Sequence, residues 1–124
     1  PVIANGDVTC GQDAVEIKKQ TNCDGIMIGR GAQGNPWIFS ELLHYEKYGE
    51  MPKRPDVQEV KRTMLRHAEL QMKYKGDYLG IREMRKHIAW YTTGMKNSAK
   101  LRDDINRVES FEELKTLLDE RLTD

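Results

Sequence analysis

Pro1-Val2-Ile3-Ala4-Asn5-Gly6-Asp7 and, further along, Gly25-Ile26-Met27-Ile28-Gly29-Arg30-Gly31 follow one plan, a short apolar run that ends in a glycine turn. Each run has the length and flanks of a strand buried on both faces. Between them, Thr9 with Gln12 makes the pattern of a capping box and predicts a helix over about residues 10–20. A helix crossing from one strand to the next makes the two strands parallel neighbours, a βαβ unit. Beyond the second run, Asn35 stands as N-cap with Pro36 at the first helical position. Trp37, Ile38, Leu42 and Tyr45 then form the apolar face of a helix that Gly49 closes.

Strand, glycine turn and helix, twice over, is what the last two units of a (β/α)8 barrel use to hold a phosphate, because the anion sits at the loops after strands seven and eight. Gly6, Gly29 and Gly31 lack a Cβ, which would let backbone N–H groups approach phosphate oxygens, and Arg30 adds a charged donor fork. Asn-Gly-Asp alone is equally a structural turn. The repeated setting is what points to an anion.

A whole barrel needs about 250 residues, and the chain has 124. The fold class is therefore an α/β fragment, the last two βα units of a TIM barrel, and the absence of any cap or methionine before the first apolar run fits a piece of something longer. Two strands leave unpaired edges, so self-association through exposed barrel strands, or a loosely held first half, is expected.

Met51-Pro52-Lys53-Arg54-Pro55 has two prolines and no periodicity, which sets the boundary between residues 1–51 and residues 52–124. Everything after it has helical spacing. Val57, Val60, Met64, Ala68 and Met72 form one stripe, and Ile81, Met84, Ile88 and Tyr91 a second with Gly94 as its stop. A short helix follows from Ser98 to about Arg107, and Ser110 with Glu113 opens the last, which carries Leu114, Leu117, Leu118 and Leu122. The second part is an all-α bundle and the chain is mostly helical overall.

Hydrophobic residues make up 38% and charged residues 32% of the chain, the balance of a globular protein with a modest core. No apolar run approaches the roughly 18 residues that cross a bilayer, so no membrane role is expected. Cys10 and Cys23 have neither redox nor zinc spacing, and His44, His67 and His87 have no metal-ligand spacing; no metal is expected, and a reducing cytoplasm suits the thiols. The net charge of zero is unevenly spread. Residues 1–51 hold 4 basic and 7 acidic side chains, residues 52–109 hold 14 and 8, and residues 110–124 hold 2 and 5. The middle segment is the candidate for a polyanion.

Within that segment Arg82 and Lys86 lie one helical turn apart and repel in isolation, which a bound anion would relieve. A solvated face balanced by Glu83 explains the pattern as well. Lys73, Lys75, Lys96, Lys100 and Arg102 nearby, with Tyr74, Trp90 and Tyr91, favour a folded RNA. His87 is either part of that surface or packed under Trp90.

Pro-Val-Ile-Ala-Asn-Gly-Asp at 1–7 and Asp-Gly-Ile-Met-Ile-Gly-Arg-Gly-Ala-Gln-Gly-Asn-Pro-Trp-Ile-Phe at 24–39 closely resemble the end of the barrel in bacterial tRNA-dihydrouridine synthases. Arg-Glu-Met-Arg-Lys-His-Ile-Ala-Trp-Tyr at 82–91 resembles that family's tRNA-binding helix. The resemblance implies a C-terminal fragment of an enzyme that reduces the C5–C6 bond of uridine in tRNA, with FMN as cofactor and NADPH as reductant. It implies FMN-binding roles for Asn5, Gly6, Asp7, Gly29 and Arg30, and tRNA contacts for Arg82, Lys86 and His87. The family's catalytic cysteine, with its lysine and histidine, falls upstream of Pro1, so no catalytic residue is expected here and the fragment alone should be inactive. Two other readings stay open: a stand-alone RNA-binding helical module, and an FMN barrel acting on a small molecule.

Overall fold

Both apolar runs form short strands, and they pair in parallel. In the computed structural model, which describes residues 1–123, β1 (Ile3–Asn5) sets Ile3 opposite Gly25 and Asn5 opposite Met27 of β2 (Gly25–Met27). The Asp24 carboxylate accepts the Val2 N–H at 2.7 Å, while the Asp24 N–H donates to the Val2 carbonyl at 2.8 Å, which locks the register at its near end. The crossover is α1 (Gly11–Thr21). Its start is held by Asp13 rather than Gln12: the Thr9 N–H and hydroxyl both donate to one Asp13 oxygen at 3.0 Å. An ionised carboxylate is a stronger acceptor than an amide and also suits the positive end of the helix. Those bonds from Thr9 hold the Asp13 carboxyl below its usual range.

Residues 30–32 make a short 3-10 turn, and α2 (Ile38–Tyr48) follows. Asn35 is not its side-chain cap. The Asn35 carbonyl instead accepts the Ile38 N–H at 3.2 Å across Pro36 and Trp37, so the helix starts later than the Asn-Pro pattern predicts. Gly49 does end it, at φ 74°. α1 packs on α2, and Val8, Cys23 and Ile38 are buried.

The expectation that these strands are buried on both faces is not met. Alternation puts Ile3, Asn5, Gly25 and Met27 on one face of the pair, and on that face Ile3 is 60% and Met27 58% exposed. Among the described residues no further strand extends this sheet.

The chain divides into two compact units, Pro1–Arg54 and a second from Pro55 onward. The second is built from α3 (Val57–Lys75), α4 (Asp77–Tyr91), α5 (Ser98–Ile105) and α6 (Phe111–Arg121). Asp56 caps α3 by accepting the Glu59 N–H at 2.8 Å. Ser110 caps α6 by accepting the Glu113 N–H at 3.1 Å, while the Glu113 carboxylate takes the Glu109 N–H. α3 and α4 lie closest where Gly80 faces Met72: a Cβ there would stand 2.7 Å from the Met72 Cα, too near for any other residue. Met64, Met84, Ile88, Ile105, Leu114 and Leu118 fill the core. Arg85 donates twice to the Val108 carbonyl, at 3.0 and 2.5 Å, and so ties α4 to the loop before α6. α4 ends at Tyr91, short of Gly94; the buried Thr92 follows, with its hydroxyl turned back to the Ile88 carbonyl at 2.8 Å.

Candidate functional site

Parallel strands deliver the loops that follow them to the same edge, and here those loops carry charge of opposite sign. Asn5 ends β1 and Gly6-Asp7 follows; Gly29-Arg30 follows β2. The Val8 N–H closes on the Gly6 carbonyl at 2.8 Å, a tight three-residue turn that directs Asp7 outward. The Arg30 guanidinium then donates to the Asp7 carboxylate at 2.8 Å. Their side chains are 80% and 76% exposed, so solvent screens the pair and it adds little to stability. It does keep both groups at one place on the edge.

The three glycines of these loops serve different ends. A Cβ on Gly29 would meet nothing within 4 Å, so its backbone is open to an approaching group. A Cβ on Gly31 would overlap the Val8 carbonyl, and one on Gly6 would press on the Ile17 side chain at 3.2 Å. The missing side chain of Gly31 lets the second loop pack against the first. Asn5, Gly6, Asp7, Gly29 and Arg30 are all exposed.

On the helical unit, Arg82 reaches back to Tyr78 on its own helix. Its guanidinium carbon is 3.5 Å from the centre of the Tyr78 ring, and its Nη1 donates to the Tyr78 carbonyl at 3.0 Å. Lys86 is exposed one turn further on. His87 points elsewhere, half-buried between the Trp90 ring, edge-on at 5.3 Å, and the His67 ring at 4.7 Å. His67 Nδ1 in turn lies 3.0 Å from the Tyr91 hydroxyl. Burial pushes both imidazoles below their ordinary range, and for His87 the neighbouring His67 and Lys86 add to the effect. Burial pushes the Tyr91 hydroxyl up. Lys75 pairs with Glu83 beside this cluster and holds that carboxyl low.

Sequence reasoning did not foresee the His67–His87–Tyr91 group, since nothing in the local pattern places α3 against α4 at that register. The Tyr78–Arg82 contact was open to it, because residues four apart share a helix face. Among the described residues no group of three or more His, Cys, Asp or Glu is placed to hold a metal, and no helix is long and apolar enough to cross a membrane.

The dihydrouridine synthase family model matches residues 1–124. The chain belongs to the dihydrouridine synthase family. It is 43% identical over 106 residues to a probable tRNA-dihydrouridine synthase of Rickettsia conorii, covering 86% of this chain and 32% of that protein. It is 41% identical over 110 residues to tRNA-dihydrouridine synthase B of Xanthomonas axonopodis, covering 89% and 33%. A probable tRNA-dihydrouridine synthase of Mycobacterium tuberculosis is 40% identical over 119 residues, covering 96% and 31%. The chain thus spans about a third of the length of these family members.

Proposed function

We propose that this chain is the C-terminal third of a tRNA-dihydrouridine synthase. Residues 1–51 are the last two βα units of its FMN-binding barrel and residues 52–124 its tRNA-binding domain. The observation that carries the reading is the Asp7–Arg30 pair, which gathers the loops after two parallel strands at one edge. A flavin phosphate fits that edge: Gly29 has an open backbone, and Arg30 offers a planar fork of donors suited to phosphate oxygens. Asn5 and Gly6 border the same turn. When bound, FMN reduced by NADPH supplies the hydride that saturates the C5–C6 bond of uridine.

This chain's own residues bind and orient. Arg30 neutralises the phosphate, and Asp7 holds the guanidinium in place through its 2.8 Å bond. Arg82 and Lys86 meet RNA phosphates, which fixes register without reading sequence, and His87 borders that surface. Cys23 is buried and Cys10 half-buried, and the proposed reading gives neither thiol a catalytic role. The proton donor belongs to the remainder of the enzyme, and the chain by itself is inactive.

With FMN and NADPH, the 124-residue chain should convert no uridine in undermodified tRNA; measurable dihydrouridine would refute the division of labour. In the intact enzyme carrying this sequence, Arg30→Ala should lower FMN retention through purification, and unchanged retention would sink the phosphate site. The exposed Ile3 and Met27 support a strand pair that seeks further β-structure, either the rest of the barrel or a second copy of this chain. A second reading, an RNA-binding module that acts alone, draws on the separate core of the helical unit. Flavin absorbance in the intact protein distinguishes the two.

A further inference from the structure

The turn between α3 and α4 displays two aromatic rings that no core claims. Tyr74 is 75% exposed and Tyr78 is 72% exposed, each with a cation over its ring: Lys73 at 5.5 Å from the Tyr74 centre and Arg82 at 3.5 Å from the Tyr78 centre. The second pair is the closer and the better held. The Arg82 guanidinium is anchored by its bond to the Tyr78 carbonyl, so ring and guanidinium keep their arrangement without a ligand. Only one of its five N–H donors is spent in that bond.

We propose that this turn is a stacking platform for an unpaired RNA nucleobase, with the Tyr78–Arg82 pair as its surface, while the remaining N–H donors of Arg82 and the Lys86 ammonium meet the adjoining phosphates. The inference rests on the tRNA-binding reading above and deepens it by naming where a base, rather than the backbone, is held. Every nucleobase has a π-face, and unpaired RNA bases stack on aromatic rings and guanidinium planes. Residues 78, 82 and 86 lie on one face of α4 over about 12 Å, so ring, guanidinium and ammonium form a continuous strip. The charge around it is mixed but leaves cations available: Asp77 is exposed beside Tyr78, Glu83 is engaged by Lys75, and Lys73 and Lys86 are exposed. Gly80 lets α4 approach α3 closely at this end.

The test separates base from phosphate. Binding of the 124-residue chain to a single-stranded oligoadenylate of about eight nucleotides is compared with binding to an abasic ribose-phosphate oligomer of the same length. Tyr78→Leu should weaken oligoadenylate binding about tenfold, leave the abasic oligomer unchanged, and be rescued in Tyr78→Phe. Because Tyr78 is largely exposed, all three proteins should show the same helical circular dichroism. Equal loss on both oligomers would mean that the ring only positions Arg82, and no loss on either would mean that it faces another protein or solvent; both overturn the platform. The parent reading is tracked separately by intact tRNA: if Arg82→Ala with Lys86→Ala weakens tRNA while Tyr78→Leu spares oligoadenylate, the platform alone fails. If the unaltered chain binds neither tRNA nor oligoadenylate, both fall.

Discussion

Arg30 and Asp7, 23 residues apart in sequence, meet at 2.8 Å across the ends of two parallel strands. Both side chains are largely exposed, so the pairing serves position more than stability. In the proposed enzyme Asp7 holds the guanidinium where the phosphate meets it. Asp7→Asn should therefore lower FMN affinity while changing unfolding free energy by less than about 1 kcal/mol. Calorimetric titration of the intact enzyme with FMN, beside urea unfolding, checks both halves.

Gly80 and Gly29 make opposite predictions for one substitution. Gly80→Ala drives a methyl group into the Met72 and Gln71 backbone, at 2.7 and 2.9 Å, where no rotamer can yield. It should cost about 1–3 kcal/mol, as overpacking does. Gly29 has nothing within 4 Å of a new Cβ, so Gly29→Ala brings no such overlap and should cost less than Gly80→Ala. Thermal unfolding of the two variants reads the difference, and equal melting temperatures would contradict this account of α3–α4 packing.

Ser110 is a cap with one measurable bond, to the Glu113 N–H. Ser110→Ala should destabilise the helical unit by about 1 kcal/mol, whereas Ser110→Asp should retain most of its stability. Urea midpoints at constant m-value report this directly.

The two facing imidazoles give the helical unit a pH dependence. Burial lowers the folded-state pKa of His67 and His87 below the unfolded value of 6.5. Between those values the unfolded chain binds more protons, so stability rises with pH there. Stability should be full above about pH 6.5 and decline as the pH falls through the lowered folded-state values. His67→Gln should blunt the decline in melting temperature between neutral and acidic buffers. A slope unaffected by that change would assign the pH response to other groups.

Arg82 and Lys86 predict a salt effect. Changing both to Ala should weaken tRNA binding and flatten the dependence of log K on log salt by up to about 2, one unit for each phosphate that is no longer neutralised. An unchanged slope would leave a solvated helix face as the better description.

The order of elements was legible from local pattern. Apolar runs ended by Asn5-Gly6-Asp7 and by Gly29-Arg30 announced two parallel strands, and the stripes through Met64 and Met84 announced the helices, because periodicity and turn chemistry act over a few residues. The distinctive motifs at 1–7 and 24–39 carried the family as well. Local pattern did not reveal which neighbour each group would meet. The Val8 carbonyl stands where a Cβ on Gly31 would be; Gln12 yielded its place to Asp13; and Asn35 gave up its side-chain cap to a turn through Pro36. The His67–His87–Tyr91 cluster and the close approach at Gly80 exist only because α3 and α4 pack at one register. Sequence spacing sets which face of an element a residue occupies, whereas the partner across that face depends on how whole elements interlock, and that was decided by the tertiary structure.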